Sequence, residues 1–154
     1  MAHHKDLTGV DLHEPKGAAS AAAGTVYVAD GLGSGSWLPR LPNNVILNAR
    51  IDDVSTAGDI YIPVPIAGVI TRISTTLGAA ISVADANITF SINGVAIDGS
   101  AITIAFTGSA PGDVDSSTPS GHNTVAVGNQ IKVSTDGGST TTAPLTVSIL
   151  IDAS

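Results

Sequence analysis

From Val45 onward, apolar and polar residues alternate in short runs. Val45, Leu47, Ala49 and Ile51 share one parity, with Asn48 and Arg50 on the other. Ile60, Ile62 and Val64 oppose Tyr61, Pro63 and Pro65, and Leu145, Val147, Ile149 and Ile151 end the chain in the same manner. Successive side chains of a strand point to opposite faces, so this period predicts half-buried strands. Pro63 and Pro65 lack an N–H for a neighbour, which predicts an edge strand. The clearest run is Asn87 to Phe106. Ile88, Phe90 and Ile92 alternate with Thr89 and Ser91, and Asn93-Gly94 supplies the pair that a two-residue hairpin turn prefers. Val95 to Ile97 returns, Asp98-Gly99 turns again, and Ile102, Ile104 and Phe106 alternate once more, which predicts a three-strand meander.

Thr107 to Asn123 reads as one long polar loop. Thr124 to Val127 and Gln130 to Ser134 read as a strand pair across Gly128-Asn129, and Asp136-Gly137-Gly138 turns the chain. Helical periodicity is missing after Val45, apart from a turn around Ala79 to Ala86. About eight short strands spaced by turn signals predict an all-β fold, an antiparallel sandwich or jelly roll.

The first quarter differs. Met1 to Leu12 has little periodicity, and Gly17 to Gly24 encloses AASAAA, either a brief helical turn or a close-packed patch of small side chains. Thr25 to Ala29, the Asp30-Gly31 turn pair and a Gly-Ser-rich return to Trp37-Leu38 predict a small hairpin. PRLPNN, from Pro39 to Asn44, reads as a linker. The expected division is an anchoring and trimerising segment over residues 1–42 and a β-sandwich over 43–154. Two strands cannot bury both of their faces, so the hairpin must lie on another surface.

These residues carry a resemblance. HEPKGA (from His13), the Ala/Ser patch, TVYVADG (from Thr25) and the Gly-Ser turn ending in Trp37 resemble the start of head-decoration, or cement, and head-fibre proteins of tailed bacteriophages. The stretch from Asp52 to Ile97 is similar to the β-rich domain that follows in such chains. The resemblance implies a homotrimer attached to the outside of a capsid, with the major capsid protein and further copies of itself as partners. It also implies a virion protein made in the bacterial host cytoplasm. The residues expected at the capsid or trimer interface are His13, Pro15, Val26, Tyr27, Val28, Trp37 and Leu38. The competing reading is a tail-fibre-type receptor- or carbohydrate-binding module, with a host-surface glycan as partner and the loop Thr107 to Asn123 as its contact.

Composition narrows the classes. Charged residues make up 12% of the 154 positions, with a formal net charge of −7. That is about half the usual charged fraction. Mean hydropathy is +0.34, yet no window approaches the roughly 18 apolar residues of a membrane helix. So little solubilising charge favours burial of part of the surface between chains. The basic residues Lys5, Lys16, Arg40, Arg50, Arg72 and Lys132 are scattered, which argues against nucleic acid or an anionic membrane as partner. Cysteine is absent, so thiolate metal sites and disulfides are excluded.

Candidate chemistry is sparse, and no cofactor is expected. His3 and His4 are an adjacent pair matching no single-chain ligand pattern; with His13, they could form a metal site only where a trimer axis gathers copies. Asp113-Val114-Asp115 with Ser116 and Ser117 offers oxygen ligands but lacks the spacing of a calcium loop. His122 has Ser120 and Asp115 as conceivable partners, without a nucleophile elbow. Asp52-Asp53 are consecutive, so they point apart on a strand. GLGSGSW lacks the Lys-Ser/Thr ending of a phosphate loop. Trp37 reads as a packing anchor. The expectation is a protein that is not an enzyme.

Overall fold

The computed structural model describes residues 20–32, 35–40 and 43–153. His3, His4, His13 and Pro15 lie outside the described residues. The chain divides into two compact units, Met1–Leu41 and Pro42–Ser154. In the first are β1 (Thr25–Ala29) and β2 (Gly35–Pro39). The second contains β3 (Asn44–Ile51), β4 (Gly58–Pro63), β5 (Gly68–Leu77), β6 (Ala86–Ile92), β7 (Val95–Ala96) and β8 (Ile102–Ile104). It continues with β9 (Val114–Ser117), β10 (Thr124–Val125), β11 (Gln130–Thr135) and β12 (Leu145–Asp152).

The second unit has two five-stranded antiparallel sheets. In one, β9 and β10 share an edge of β5, followed by β12 and β3; in the other, β4 is followed by β11 and β6, and β7 and β8 share the far edge of β6. The pairings are nested: β3 with β12, β4 with β11, β5 with β9 and β10, β6 with β7 and β8. Successive early strands alternate between the sheets. A long antiparallel hairpin rolled over itself gives this order, so the sandwich is a jelly roll.

The predicted parities hold on the strands, whereas Phe106, expected to continue the alternation of Ile102 and Ile104, lies beyond β8 and is 41% exposed. Val45, Leu47, Ala49 and Ile51 face inward, and Leu145, Val147, Ile149 and Ile151 are buried on β12, the strand between β5 and β3. Inward residues of both sheets, Ile70, Ile73, Val147 and Ile149 with Ile88, Phe90, Ile131 and Val133, pool into one hydrophobic cluster. The strand with Pro63 is an edge, as its missing N–H requires. Asn93 (φ 49) and Gly94 (φ 87) both adopt the left-handed region that the β6–β7 turn demands.

Three pairings differ from the sequence expectation. The run from Asn87 to Phe106 is not a meander, because β8 pairs with β6 and not with β7. Thr124–Val125 pairs with β5, so it belongs to the opposite sheet from β11. The polar loop contains β9, laid along β5 from Ile73↔Ser117 to Thr76↔Val114. Alternation reports which face a side chain takes and says nothing about the neighbouring strand. The stretch between β5 and β6 holds no helical turn; Val83 there has φ 74.

The two interrupted edges meet. Ile97 N–H still donates to Phe90 O on β6 at 3.0 Å; residues 98–101 then leave that edge, and residues 118–122 leave the edge of β5. Asp98 and Gly121 form a bridge, with Asp98 N–H donating to Gly121 O at 2.9 Å and Ser120 N–H to Asp98 O at 2.8 Å. Ser117 Oγ donates to Ser100 O at 2.8 Å. One side of the sandwich is thereby tied across the sheets.

Candidate docking hairpin

The hairpin is built by local rules. Asp30 Oδ1 accepts the Leu32 N–H at 2.8 Å, an Asx turn, and Gly31 has φ 76. Its strands pair Val26 with Leu38, Tyr27 with Trp37 and Val28 with Ser36, and Arg40 N–H extends the ladder to Gly24 O at 2.9 Å. On one face the Tyr27 and Trp37 rings meet edge to face, with centroids 5.4 Å apart and planes at 62°. The Tyr27 ring also lies over Gly35, where an added Cβ would stand 2.8 Å from Tyr27 Cζ. The Val28 carbonyl oxygen is closer still to that added Cβ, so backbone and ring together require glycine here.

The other face carries Val26 (44% exposed), Val28 (46%) and Leu38 (46%), and Leu32 at the turn is 92% exposed. Among the described residues no strand pairs with either outer edge of this two-stranded sheet, the kind of surface that folded proteins cover or pair. Of the expected interface residues, the hairpin thus brings Tyr27 and Trp37 together on one face and Val26, Val28 and Leu38 on the other. Val26 and Val28 could be placed from parity alone; the sharing of a face with Leu38 needed the register.

The remaining candidates are dispersed over the jelly roll. His122 Nδ1 lies 2.8 Å from Asp98 Oδ2, so its carboxylate partner is Asp98 and not Asp115, which sits on β9 against β5. His122 itself has φ 49. The pair belongs to the tie between the sheets, and Asp98 was legible beforehand only as part of a turn.

Asp113 Oδ2 accepts the Ala110 N–H at 2.6 Å, which holds the loop before β9. Among the described residues no group of three His, Cys, Asp or Glu side chains is placed to hold a metal ion. Asp52 and Asp53 diverge. Asp52 pairs with Arg50 at 3.2 Å on the surface. Asp53 accepts the Ser55 hydroxyl at 2.7 Å and the Ser55 N–H at 2.9 Å, with Thr56 and Thr142 hydroxyls on its other oxygen. These bonds, the Ser55 hydroxyl foremost, hold its carboxyl below the usual range. At Asp136, burial works to raise the pKa. The Asn87 N–H at 3.0 Å, the Asn87 amide at 2.7 Å and the Gly138 N–H at 3.0 Å outweigh it, and the net direction is down. Asp53 joins two loops, and Asp136 ties the turn after β11 to the start of β6, both at the end of the sandwich away from residue 44.

No helix of the described residues is long and apolar enough to cross a membrane. No protein-family model matches the chain, and no curated protein matches it significantly.

Proposed function

We propose that the chain is a non-enzymatic virion protein that docks on the outside of a bacteriophage capsid as a homotrimer. Residues 1–42 attach and trimerise it, and the jelly roll is the outer domain. The observation that carries this reading is the hairpin: a two-stranded unit with Val26, Val28 and Leu38 exposed on one face, alongside a jelly roll that has its own core. The likeness of TVYVADG and its surroundings to phage head proteins supplies the partner, the major capsid protein.

The mechanism is mechanical. A ligand that binds only the assembled shell stabilises assembly by mass action. Three linked weak contacts raise one another's effective concentration, so a modest hairpin interface suffices. A jelly roll serves many functions, so the fold by itself argues for none of them.

The test mixes purified protein with capsids that lack it and counts bound copies by electron microscopy, beside the double variant Val28→Asp, Leu38→Asp. Trimers at regular lattice positions for the parent chain, and loss of binding for the variant with an unchanged jelly roll, are the expected result. Absence of capsid binding, or density confined to the tail, overturns it and favours the tail-module reading.

A further inference from the structure

One side of the jelly roll is tied by Asp98 and Gly121, whereas the other presents the edge strands β3 and β4. Strand edges recruit further strands unless proline, charge or brevity blunts them. β4 contains Asp59 and ends in Pro63, and β7 to β10 have two to four residues each. β3 has none of these devices. It runs for eight residues, Asn44–Ile51, without proline, lysine or an acidic side chain, and its ladder with β12 has no bulge. Among the described residues no strand pairs with its other edge.

The side chains of β3 report the same gap. Leu145, Val147, Ile149 and Ile151 on β12 are buried, but Val45, Leu47 and Ala49 beside them stay half-buried, and Ile46 on the outer face is 59% exposed. The backbone direction is fixed as well. Ala153 N–H donates to Asn43 O at 3.0 Å, in register with the ladder. Hydrogen-bonded pairs alternate along an antiparallel ladder, so Val45, Leu47, Ala49 and Ile51 bond to β12. Asn44, Ile46, Asn48 and Arg50 therefore aim their N–H and C=O groups at the open edge.

We propose that this edge pairs antiparallel with β3 of a second copy, about a two-fold axis at Leu47. Such an axis sets Ile46 opposite Asn48 and Asn44 opposite Arg50, twice each by symmetry. All four pairs come from residues that bond outward, whereas an axis at Asn48 leaves three within the strand. On the inward face Leu47 meets Leu47 and Val45 meets Ala49, apolar against apolar. Arg50 is the single charged residue of β3, and it comes opposite Asn44, so no like charges meet. Asp152, paired with Asn44 in the ladder, lies one strand further on the same face and is opposite in sign to the incoming Arg50. An edge that matches itself in hydrogen bonding, polarity and charge fits a second copy. The contact belongs to the jelly roll and goes beyond capsid docking. A two-fold contact cannot form inside a three-fold ring, so where residues 1–42 associate by threes it joins subunits of different trimers.

The test uses the full chain with Val28→Asp and Leu38→Asp, which remove the proposed hairpin contact, so that hairpin association and β3 pairing are read separately. Sedimentation equilibrium is expected to show a reversible species of twice the 15.3 kDa chain mass. Ile46→Pro removes an outward N–H and leaves the bonds to β12 in place, and is expected to return the protein to a monomer. A second variant does not depend on tolerating proline. The chain has no cysteine, and Leu47→Cys brings two thiols together at the axis, at a non-hydrogen-bonded pair with Cα atoms about 4.5 Å apart. Mild oxidation is expected to give a covalent dimer, and Val127→Cys, at a position 70% exposed beyond β10, is expected to give little. A monomer, or any mass other than two chains, overturns the proposal. So does a dimer that survives Ile46→Pro, or cross-linking no faster at residue 47 than at residue 127.

Discussion

His122 Nδ1 lies 2.8 Å from Asp98 Oδ2, and the two residues belong to segments that leave opposite sheets. A pair separated by 24 positions in the chain thus fastens one side of the jelly roll. Both side chains remain more than half exposed, and exposed pairs are worth at most about 1 kcal/mol. His122→Ala and Asp98→Ala are each expected to lower unfolding free energy by about 0.5–1 kcal/mol at neutral pH. The double variant should lose less than the sum of the two. Urea denaturation of the set measures this coupling, and strict additivity would show that the two side chains do not act together.

Trp37 is the single tryptophan of the chain, so its fluorescence reports on the hairpin alone. Gly35→Val puts side-chain atoms against the Val28 carbonyl oxygen and where the Tyr27 ring lies. The expected outcome is a red-shifted Trp37 emission and, under the proposed virion role, loss of capsid docking. The jelly roll, sharing no strand with the hairpin, should change in stability by less than about 0.5 kcal/mol. An unchanged emission spectrum would contradict the packing described for Tyr27 and Trp37.

Asp53 and Asp136 give the fold a dependence on acid. Their carboxyls titrate lower in the folded chain than the ordinary value of 3.8. A depressed folded pKa contributes stability that is complete above the unfolded pKa and is lost as pH falls through the folded one. Tm is therefore expected to decline as pH falls below about 5. Asp53→Asn combined with Asp136→Asn should lower Tm at neutral pH and flatten the acid limb. Calorimetry across that range checks it; an equally steep acid limb in the double variant would place the acid sensitivity elsewhere.

Val83 has φ 74 and is 70% exposed. A β-branched residue is strained in that region, whereas glycine enters it freely. Val83→Gly removes the strain and forfeits little burial, so a gain of up to about 1 kcal/mol is expected. Chemical denaturation reads the change. A loss of stability would mean that the Val83 side chain makes a contact worth more than the strain.

The sequence by itself determined which residues face the core. Ile60 and Ile62, Ile88 to Ile92 and Leu145 to Ile151 announce their inward parity because one-sided burial leaves a period-two record in the chain. The turn at Asn93-Gly94 was legible for an equally local reason, since both residues need positive φ. The hairpin from Thr25 to Pro39 was legible as well, through Asp30-Gly31 and the residues flanking it. The tertiary structure alone decided which strand lies beside which. Nothing in Thr124-Val125 distinguishes β5 from β11 as its neighbour, and nothing in Val114 to Ser117 marks a strand, because that strand is a short polar edge held by backbone bonds to β5. The same holds for the sites. That Asp98 and not Asp115 meets His122 follows from a pairing between distant segments. A local pattern records the face a side chain takes; the partner across the sheet is chosen by the packing of the whole roll.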